Sequence, residues 1–419
     1  MSVDTDISAR FRAAVDQCDV AKIGLAVSGG GDSIAMMQLA ARVCDRSRLH
    51  VVTVDHGLRP EAADEIAVVA AQADALGLPH CVLRWHWDGT GNLQAAARVG
   101  RWRAMVAWAQ HAHVGAVFLG HTEDDQVETI LMRLARGSGV DGLAAMSRDA
   151  PRDGMRVLRP LLDISRQDLR DWLAANGIGW CDDPSNDDTR YDRVRARQML
   201  GHLQDLGLTR KRLLQTADHM RAARKSLQIA AREFAERHVH QDVGDLVFDP
   251  VALDLEGADV PRRVMAAALS WVGGNAYRPR FAPMLDSVAR ACAGHAVTLA
   301  GCVLLPQKDG TLRVTREAAA TQARIVRSAD LPDADGIRWD RRWVIGGPLA
   351  PDLRIAALGD GVGQCPDWRA AGMQRVALVA TPAVWQGDAL IAAPIAGFGN
   401  GWTARIVADF HSAAFGIED

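Results

Sequence analysis

The first half of the chain alternates short apolar runs with longer helical patterns, and this alternation limits the possible folds more than any other feature. The apolar runs have the length of strands and end at turn or polar residues; they are Ile23–Val27, Val51–Val54, His80–Trp85 and Ala116–Gly120. The helical patterns between them are Ile34–Val43, Ala62–Leu76, Leu93–His111 and Asp124–Arg136. Such alternation predicts parallel βαβ units in an α/β, doubly wound, Rossmann-like sheet. Ligands of these sheets bind beyond the carboxyl ends of the strands, so the polar residues there are the first candidates for a site.

One more helix is expected in the first domain, at Arg166–Asn176, with Ser165 as its N-cap. The sequence after it predicts two further domains. Two helical patterns and two strand-like runs then indicate a small, mainly helical domain; these segments are Leu213–His238, Pro261–Trp271, Ala296–Leu305 and Thr311–Thr315. Short strands and Gly/Pro turns follow. The expected domains are therefore a doubly wound domain at 1–215, a mainly helical domain at 216–320 and a β-rich domain at 335–419.

Composition excludes several classes of protein. The chain has 419 residues, of which 48% are hydrophobic, and a net charge of −3, which is not the profile of a disordered chain or a general polycation. Met1–Val15 is polar, and the chain has no apolar run long enough to span a membrane. The 7 cysteines are scattered and form no CxxC pair, which disfavours a disulfide framework or a cysteine-rich zinc site. We expect a soluble, reduced, cytoplasmic protein.

A glycine-rich segment, Ser28-Gly29-Gly30-Gly31-Asp32-Ser33, stands between the first predicted strand and helix. Glycines allow a tight turn and a close approach of the backbone to a ligand, and N–H groups at a helix start bind anions. Asp32 suits a phosphate site if Mg²⁺ lies between its carboxylate and the phosphates. The segment matches neither the Walker pattern nor GxGxxG. It therefore predicts another type of phosphate loop, with a plain glycine-rich turn as the alternative.

Acidic residues mark the start of the helix after the fourth strand. Asp125 and Glu128 are neighbours on its surface, at i and i+3, and two such carboxylates can hold one ammonium group. Acids also favour a helix start for electrostatic reasons, and Thr122 with Asp125 fits a capping box. A binding site and a cap therefore both remain open for these carboxylates. The predicted apolar stripe of the same helix is Val127, Ile130, Leu131 and Leu134.

The glycine-rich segment resembles the signature of the PP-loop, or N-type, ATP pyrophosphatases, which cleave ATP between its α- and β-phosphates. Further motifs resemble one branch of them, the tRNA(Ile)-lysidine synthetases, in order and spacing over residues 23 to about 200. These motifs are VDHGLRP at Val54–Pro60, GNLQAAAR at Gly91–Arg98, GHTEDDQVET at Gly120–Thr129 with its continuation Arg133–Gly139, RPLL at Arg159–Leu162 and DPSN at Asp183–Asn186. Residues 215–419 resemble the family only in architecture.

The resemblance implies ATP and Mg²⁺ as cofactors, and L-lysine and the isoleucine tRNA with a CAU anticodon as substrates. It implies that Ser28–Ser33 binds the phosphates, that Asp32 binds the metal and that Asp125 and Glu128 recognise lysine. Val54, Asp55 and His56 would line the adenosine pocket, and Gln94 and Arg98 would face the cleft. Asp32, Asp125, Glu128 and Arg98 are thus the expected catalytic residues.

A run of arginines follows the last motif, at Arg190, Arg193, Arg195 and Arg197. Taken alone, the run is typical of a solvated basic face. In a tRNA enzyme, it predicts contacts with RNA phosphates. The expected enzyme is a ligase that forms a carbon–nitrogen bond. The rival functions are a sulfur-transferring PP-loop tRNA enzyme, a small-molecule amidoligase and a nucleotide sensor without catalysis. The scattered cysteines disfavour the first, and the arginine run disfavours the second.

Overall fold

The structure is a computed structural model that describes residues 3–55, 57, 62–87, 89, 93–182, 192–274, 279–327, 336–348, 350 and 352–415. The chain divides into two compact units, Met1–Arg224 and Lys225–Ile417. This division lies close to the first predicted domain boundary, whereas the three-domain division itself stays a prediction. No helix in the described part of the chain is long and apolar enough to cross a bilayer.

A six-stranded sheet forms the centre of the first unit, with the order β3-β2-β1-β4-β6-β5. All neighbouring strands are parallel except β5 and β6. The strands are β1 (Ile23–Ala26), β2 (Leu49–Asp55), β3 (His80–Arg84), β4 (Ala116–Leu119), β5 (Asp149–Arg152) and β6 (Met155–Leu158). The order reverses between β1 and β4, and a ligand crevice is expected at such a point. The predicted doubly wound fold of this unit is confirmed.

Helices cover both faces of this sheet. The described helices of the unit are α1 (Val3–Val15), α2 (Gly31–Val43), α3 (Ala62–Ala75), α4 (Leu93–His111), α5 (Glu123–Ala135), α6 (Val140–Leu143), α7 (Arg166–Ala175), α8 (Asp192–Gln204) and α9 (Arg210–His238), whose end lies in the second unit. Helices α1, α2 and α7 share one core, in which Phe11, Ile34 and Trp172 are buried. Trp102 and Met105 bury α4 in another. Helices are thus held on opposite faces, as a parallel sheet requires.

A third core joins α5 to α8 and α9. Val127 and Ile130 of α5 are buried there, together with Leu200 of α8 and Leu213 of α9. Leu134, which was predicted to complete the apolar stripe, is instead 53% exposed. The stripe is shorter than predicted because the buried contacts of α5 end one turn before Leu134. Helix α5 is therefore anchored mainly through its first turns, where the acidic residues stand.

The second unit begins with a five-stranded antiparallel sheet, ordered β7-β8-β11-β10-β9. Its strands are β7 (Val239–Asp242), β8 (Asp245–Phe248), β9 (Val297–Leu299), β10 (Cys302–Pro306) and β11 (Leu312–Arg316). The helices α10 (Asp259–Gly273) and α11 (Phe281–Cys292) pack against it. Ala296–Leu305 was predicted as one strand, which is wrong: Ala300 and Gly301, with φ of 52° and 73°, form a hairpin turn between β9 and β10.

The remaining residues of the second unit form two small antiparallel sheets, in accordance with the predicted β-rich end of the chain. Their orders are β12-β15-β16-β17 and β13-β14-β18. The elements are β12 (Val326–Arg327), β13 (Ile337–Trp339), β14 (Trp343–Gly346), β15 (Leu353–Ala357), α12 (Arg375–Leu378), β16 (Pro382–Gln386), β17 (Ala389–Ala392), β18 (Thr403–Ile406) and α13 (Phe410–Ala414). A buried, two-pronged ion pair between Arg316 and Asp340, at 2.8 and 2.9 Å, fixes the β13–β14 turn to β11.

Candidate active site

The glycine-rich loop lies directly between β1 and α2, at the carboxyl edge of the parallel sheet. Gly29 has a φ of 93°, a conformation that side chains disfavour, and a Cβ there would lie 3.2 Å from Cβ of Glu65. The Ser33 hydroxyl accepts from Ser28 N at 3.1 Å and donates to Gly30 O at 2.9 Å. These bonds hold the loop in a closed turn at the N-terminus of α2, which is a geometry suited to phosphate oxygens.

Helix α5 starts beside this loop because β4 is the neighbour of β1. A Cβ on Gly120, just after β4, would lie only 3.1 Å from the backbone N and Cα of Ser33. The end of β4 is therefore in close contact with the backbone of the first turn of α2. The loop carboxylate of Asp32 and the carboxylates of α5 consequently line the same crevice.

Asp125 caps α5 and also faces the crevice, so the capping interpretation is confirmed and the binding of an ammonium group stays a prediction. Its Oδ2 accepts from the backbone N and the hydroxyl of Thr122, at 2.8 and 3.0 Å. Its Oδ1 lies 3.5 Å from Arg166 Nη2 and 3.9 Å from Arg193 Nη1. One oxygen therefore closes the helix end, and the other binds cationic groups.

Glu128, one turn later, is buried, and only one of its two carboxylate oxygens has a hydrogen-bond partner among the described residues. Its Oε1 accepts from Arg197 Nε and Nη2, at 3.0 and 2.9 Å. Its Oε2 is buried and has no hydrogen-bond partner among the described residues. Burial raises the pKa of Glu128, and the charge of Arg197 opposes this shift. A buried carboxylate oxygen without a partner is costly, and a bound ammonium group would remove that cost.

Arg166, the first residue of α7, joins the loop to α5, and sequence reasoning missed it. Its Nε donates to Asp32 Oδ2 at 2.9 Å, and its Nη1 lies 3.7 Å from Glu128 Oε1. Its backbone N donates to Asp124 Oδ2 at 2.8 Å. Burial raises the pKa of Asp32, and the charge of Arg166 opposes the shift. The only available signal was its place just after the predicted N-cap Ser165, which does accept from Asp168 N.

Three of the four predicted RNA-binding arginines, Arg193, Arg195 and Arg197, lie on helix α8, and two of them contact the acidic residues. The sequence pattern predicted no helix here, and Arg190 lies outside the described residues. Arg193 and Arg197 pair with Asp125 and Glu128. Arg195 instead forms an ion pair with Asp192, and its side chain is 62% exposed. The structure thus brings together two sets of residues that the sequence assigned to different substrates.

Two further residues, Arg210 and His121, influence the net charge of the crevice. Arg210 of α9 lies 2.8 Å from Asp124 Oδ1 and 3.7 Å from Glu123 Oε1. His121 follows Gly120, and its buried Nδ1 has no partner in the part of the chain that the structure describes. Burial lowers the pKa of His121 to about 4; Asp125 opposes this shift, and the charge of Arg159 reinforces it. The imidazole is therefore neutral at neutral pH.

The other predicted site residues are placed less decisively. Val54 and Asp55 end β2, and Asp55 Oδ1 accepts from Gly57 N at 2.8 Å. His56 lies outside the described residues, and the side chain of Gln94 is not among those described. Arg98 is an exposed residue of α4. The adenosine pocket and the catalytic role of Arg98 therefore stay predictions.

The residues of the crevice fit a magnesium–nucleotide complex. Among the described residues, no cluster of three or more His, Cys, Asp or Glu side chains could hold a metal alone. Mg²⁺ ordinarily binds one or two protein carboxylates and completes its shell with phosphate and water oxygens. Asp32, at the phosphate loop, is a hard oxygen donor in the right place for that arrangement. The metal would therefore be held jointly by Asp32 and the nucleotide.

The fold and the loop define a PP-loop ATP-binding protein, and residues 3–203 match the family model described as a PP-loop domain. A tRNA(Ile)-lysidine synthase of Ruegeria pomeroyi is 43% identical over 409 residues, which cover 96% of this chain and 95% of that protein. The chain belongs to the tRNA(Ile)-lysidine synthase family.

Two shorter matches agree with this membership. A tRNA(Ile)-lysidine synthase of Zymomonas mobilis is 39% identical over 61% of this chain and 77% of its own length. A tRNA(Ile)-lysidine synthase of Rhodopseudomonas palustris is 49% identical over 48% of this chain and 59% of its own length.

Proposed function

We propose that this protein ligates lysine to C2 of the wobble cytidine in the isoleucine tRNA with a CAU anticodon, at the expense of ATP. In the first step, the C2 oxygen of cytosine attacks the α-phosphorus and pyrophosphate leaves. In the second, the lysine ε-amine attacks C2, loses a proton, and AMP leaves with the oxygen. The product is lysidine, and a methionine anticodon becomes an isoleucine anticodon.

One observation supports this function above the others: the carboxylate of the phosphate loop and those of α5 are spanned by a single guanidinium. Arg166 reaches Asp32 at 2.9 Å and Glu128 at 3.7 Å. A nucleotide on the loop and an amine on α5 would thus be within one side-chain width of each other. Two-step ligation requires this proximity because the adenylate formed at one site is attacked at the other.

Each part of the crevice has a role in this scheme. The backbone of Ser28–Ser33 and the N-terminus of α2 would hold the pyrophosphate, and Mg²⁺ would supply positive charge for the leaving group. Asp125 Oδ1 and the unpaired Oε2 of Glu128 would bind the ammonium group of lysine. His121, neutral at pH 7, adds no positive charge that would repel the ammonium. These roles follow from position and charge.

The tRNA contacts are proposed for the arginines of the predicted run. Arg195 is well placed because most of its side chain is exposed. Arg193 and Arg197 would contact RNA only after they exchange carboxylates for phosphates, since both form ion pairs on α5. The cytoplasmic location also stays a prediction.

Incubation of the protein with ATP, labelled lysine and tRNA tests the proposal. Lysine should enter an isoleucine tRNA transcript with a CAU anticodon, and a transcript with uridine at the wobble position should stay unlabelled. A sulfur-transferring enzyme would label neither transcript. An amidoligase would consume lysine and ATP without RNA, and a sensor would release no pyrophosphate. Absence of lysine from the RNA would contradict the proposed function.

A further inference from the structure

Arg166 competes with any other cation for the carboxylates of the crevice. Its guanidinium bonds Asp32 at 2.9 Å and lies 3.5 Å from Asp125 and 3.7 Å from Glu128. The side chain is 21% exposed, so these contacts are only partly screened by water. A second positive group at the same oxygens would be repelled by the guanidinium. A lysine ammonium at Asp125 and Glu128, or a metal ion at Asp32, therefore binds better when Arg166 leaves those oxygens.

We propose that Arg166 couples the two cation sites: it leaves Asp125 and Glu128 for lysine once a metal–nucleotide complex engages Asp32. This inference rests on the proposed function and adds its regulation. The contact with Asp32 is the short one, whereas the contacts with Asp125 and Glu128 are longer than hydrogen bonds. Loss of the short contact removes the main anchor of the guanidinium. The nucleotide phosphates then offer it two-pronged partners, which arginine binds well.

The other arginines of the crevice do not have this bridging position. Arg193 and Arg197 reach α5 from α8, where they pair with Asp125 and Glu128. Arg210 pairs with Asp124. Arg166 alone among these four is bonded to the phosphate loop as well as to α5. Charge removal at Arg210 is therefore a matched control, since it breaks an arginine–carboxylate pair on the same helix.

Binding coupled in this way is reciprocal, and typical coupling changes affinity about 5- to 150-fold. Equilibrium dialysis of labelled lysine against the full chain measures it, with and without Mg²⁺ and an α,β-methylene ATP analogue that resists cleavage. For the wild type, the analogue should tighten lysine binding roughly 10-fold. Arg166→Gln should bind lysine tightly without the analogue and gain little when it is added. Arg166→Lys, which keeps a charge but cannot span the carboxylates, should show intermediate coupling.

Arg210→Gln should retain the coupling of the wild type. Wild-type coupling in Arg166→Gln would overturn the inference and leave the proposed function intact. Absence of lysine binding by the wild type under both conditions would overturn the lysine site, and the proposed function with it. If circular dichroism shows that Arg166→Gln is unfolded, Arg166→Lys decides: reduced coupling supports the role of Arg166, and unchanged coupling refutes it.

Discussion

At the scale of single residues, the proposed lysine site predicts that Glu128 serves the second chemical step and not the first. It accepts from Arg197 through Oε1, and its buried Oε2 has no partner among the described residues. Glu128→Gln should remove a charge-assisted hydrogen bond to lysine, worth about 1.5–3 kcal/mol. Lysine use should then be roughly 10- to 100-fold weaker. Adenylation should persist, so adenylated tRNA should accumulate when lysine is scarce.

Pyrophosphate release and lysine incorporation, measured separately, check this prediction. Asp32→Ala is the companion variant, because a metal–phosphate ligand serves the first step and its loss should stop AMP formation. Loss of both steps in folded Glu128→Gln would refute its assignment to lysine. Near-normal AMP formation by Asp32→Ala would refute the metal role of Asp32.

His121 gives a residue-scale prediction about pH. Its pKa in the folded protein is about 4, below the usual 6.5, because burial disfavours the charged ring. The folded state therefore gains from neutral His121 above pH 6.5 and loses that gain as the pH falls towards 4. His121→Gln should lose less stability than the wild type over this interval. Urea midpoints at pH 7, 6, 5 and 4 measure it; the exposed His111→Gln should follow the wild type.

At the scale of elements, the hydrogen-bonded cap of α5 includes Asp125, which is also part of the proposed lysine site. Thr122→Val removes the hydroxyl that donates to Asp125 Oδ2 at 3.0 Å and keeps the backbone bond. Loss of a cap costs about 1 kcal/mol. Asp125 should also lose its fixed orientation, so lysine use should weaken. Thr122→Ser keeps the hydroxyl and should behave as the wild type; lysine use that is unaffected in Thr122→Val would show that the cap does not orient the site.

The elements that the sequence predicted well have strong local signals. Leu93–His111 was predicted with both of its ends, and the cap of α7 at Ser165 is confirmed. Helix α8 was missed because only Val194 and Leu200 are buried among its many polar residues, so no apolar stripe marks it. Arg166 was missed because its role depends on carboxylates from two other elements. Local pattern predicts elements, whereas contacts between distant elements need the fold.

At the scale of the whole molecule, the division at residue 224 predicts a division of labour. The first unit keeps Leu213 and Ala217 of α9 in its own core, so a chain that ends at Arg224 should fold and bind ATP. It should lose most of its tRNA affinity if the second unit positions the tRNA. Residual binding should fall steeply with salt because it depends on phosphate contacts. The affinities of the full-length and the truncated protein for labelled tRNA, measured at increasing salt concentrations, test this prediction. Equal affinities would contradict the division.

The absence of a side chain at Gly120 determines how closely the end of β4 approaches α2. The backbone at residue 120 approaches Ser33 so closely that a Cβ would be 3.1 Å from main-chain atoms, which cannot rotate away as a side chain could. Gly120 therefore allows the closest approach between the end of β4 and α2, which in the proposed function would hold the amine and the nucleotide on either side. A methyl group there would widen that gap by a few tenths of an ångström. In the proposed function, such a shift would slow the second step most, because attack on the adenylate depends on close and well-oriented approach of the amine.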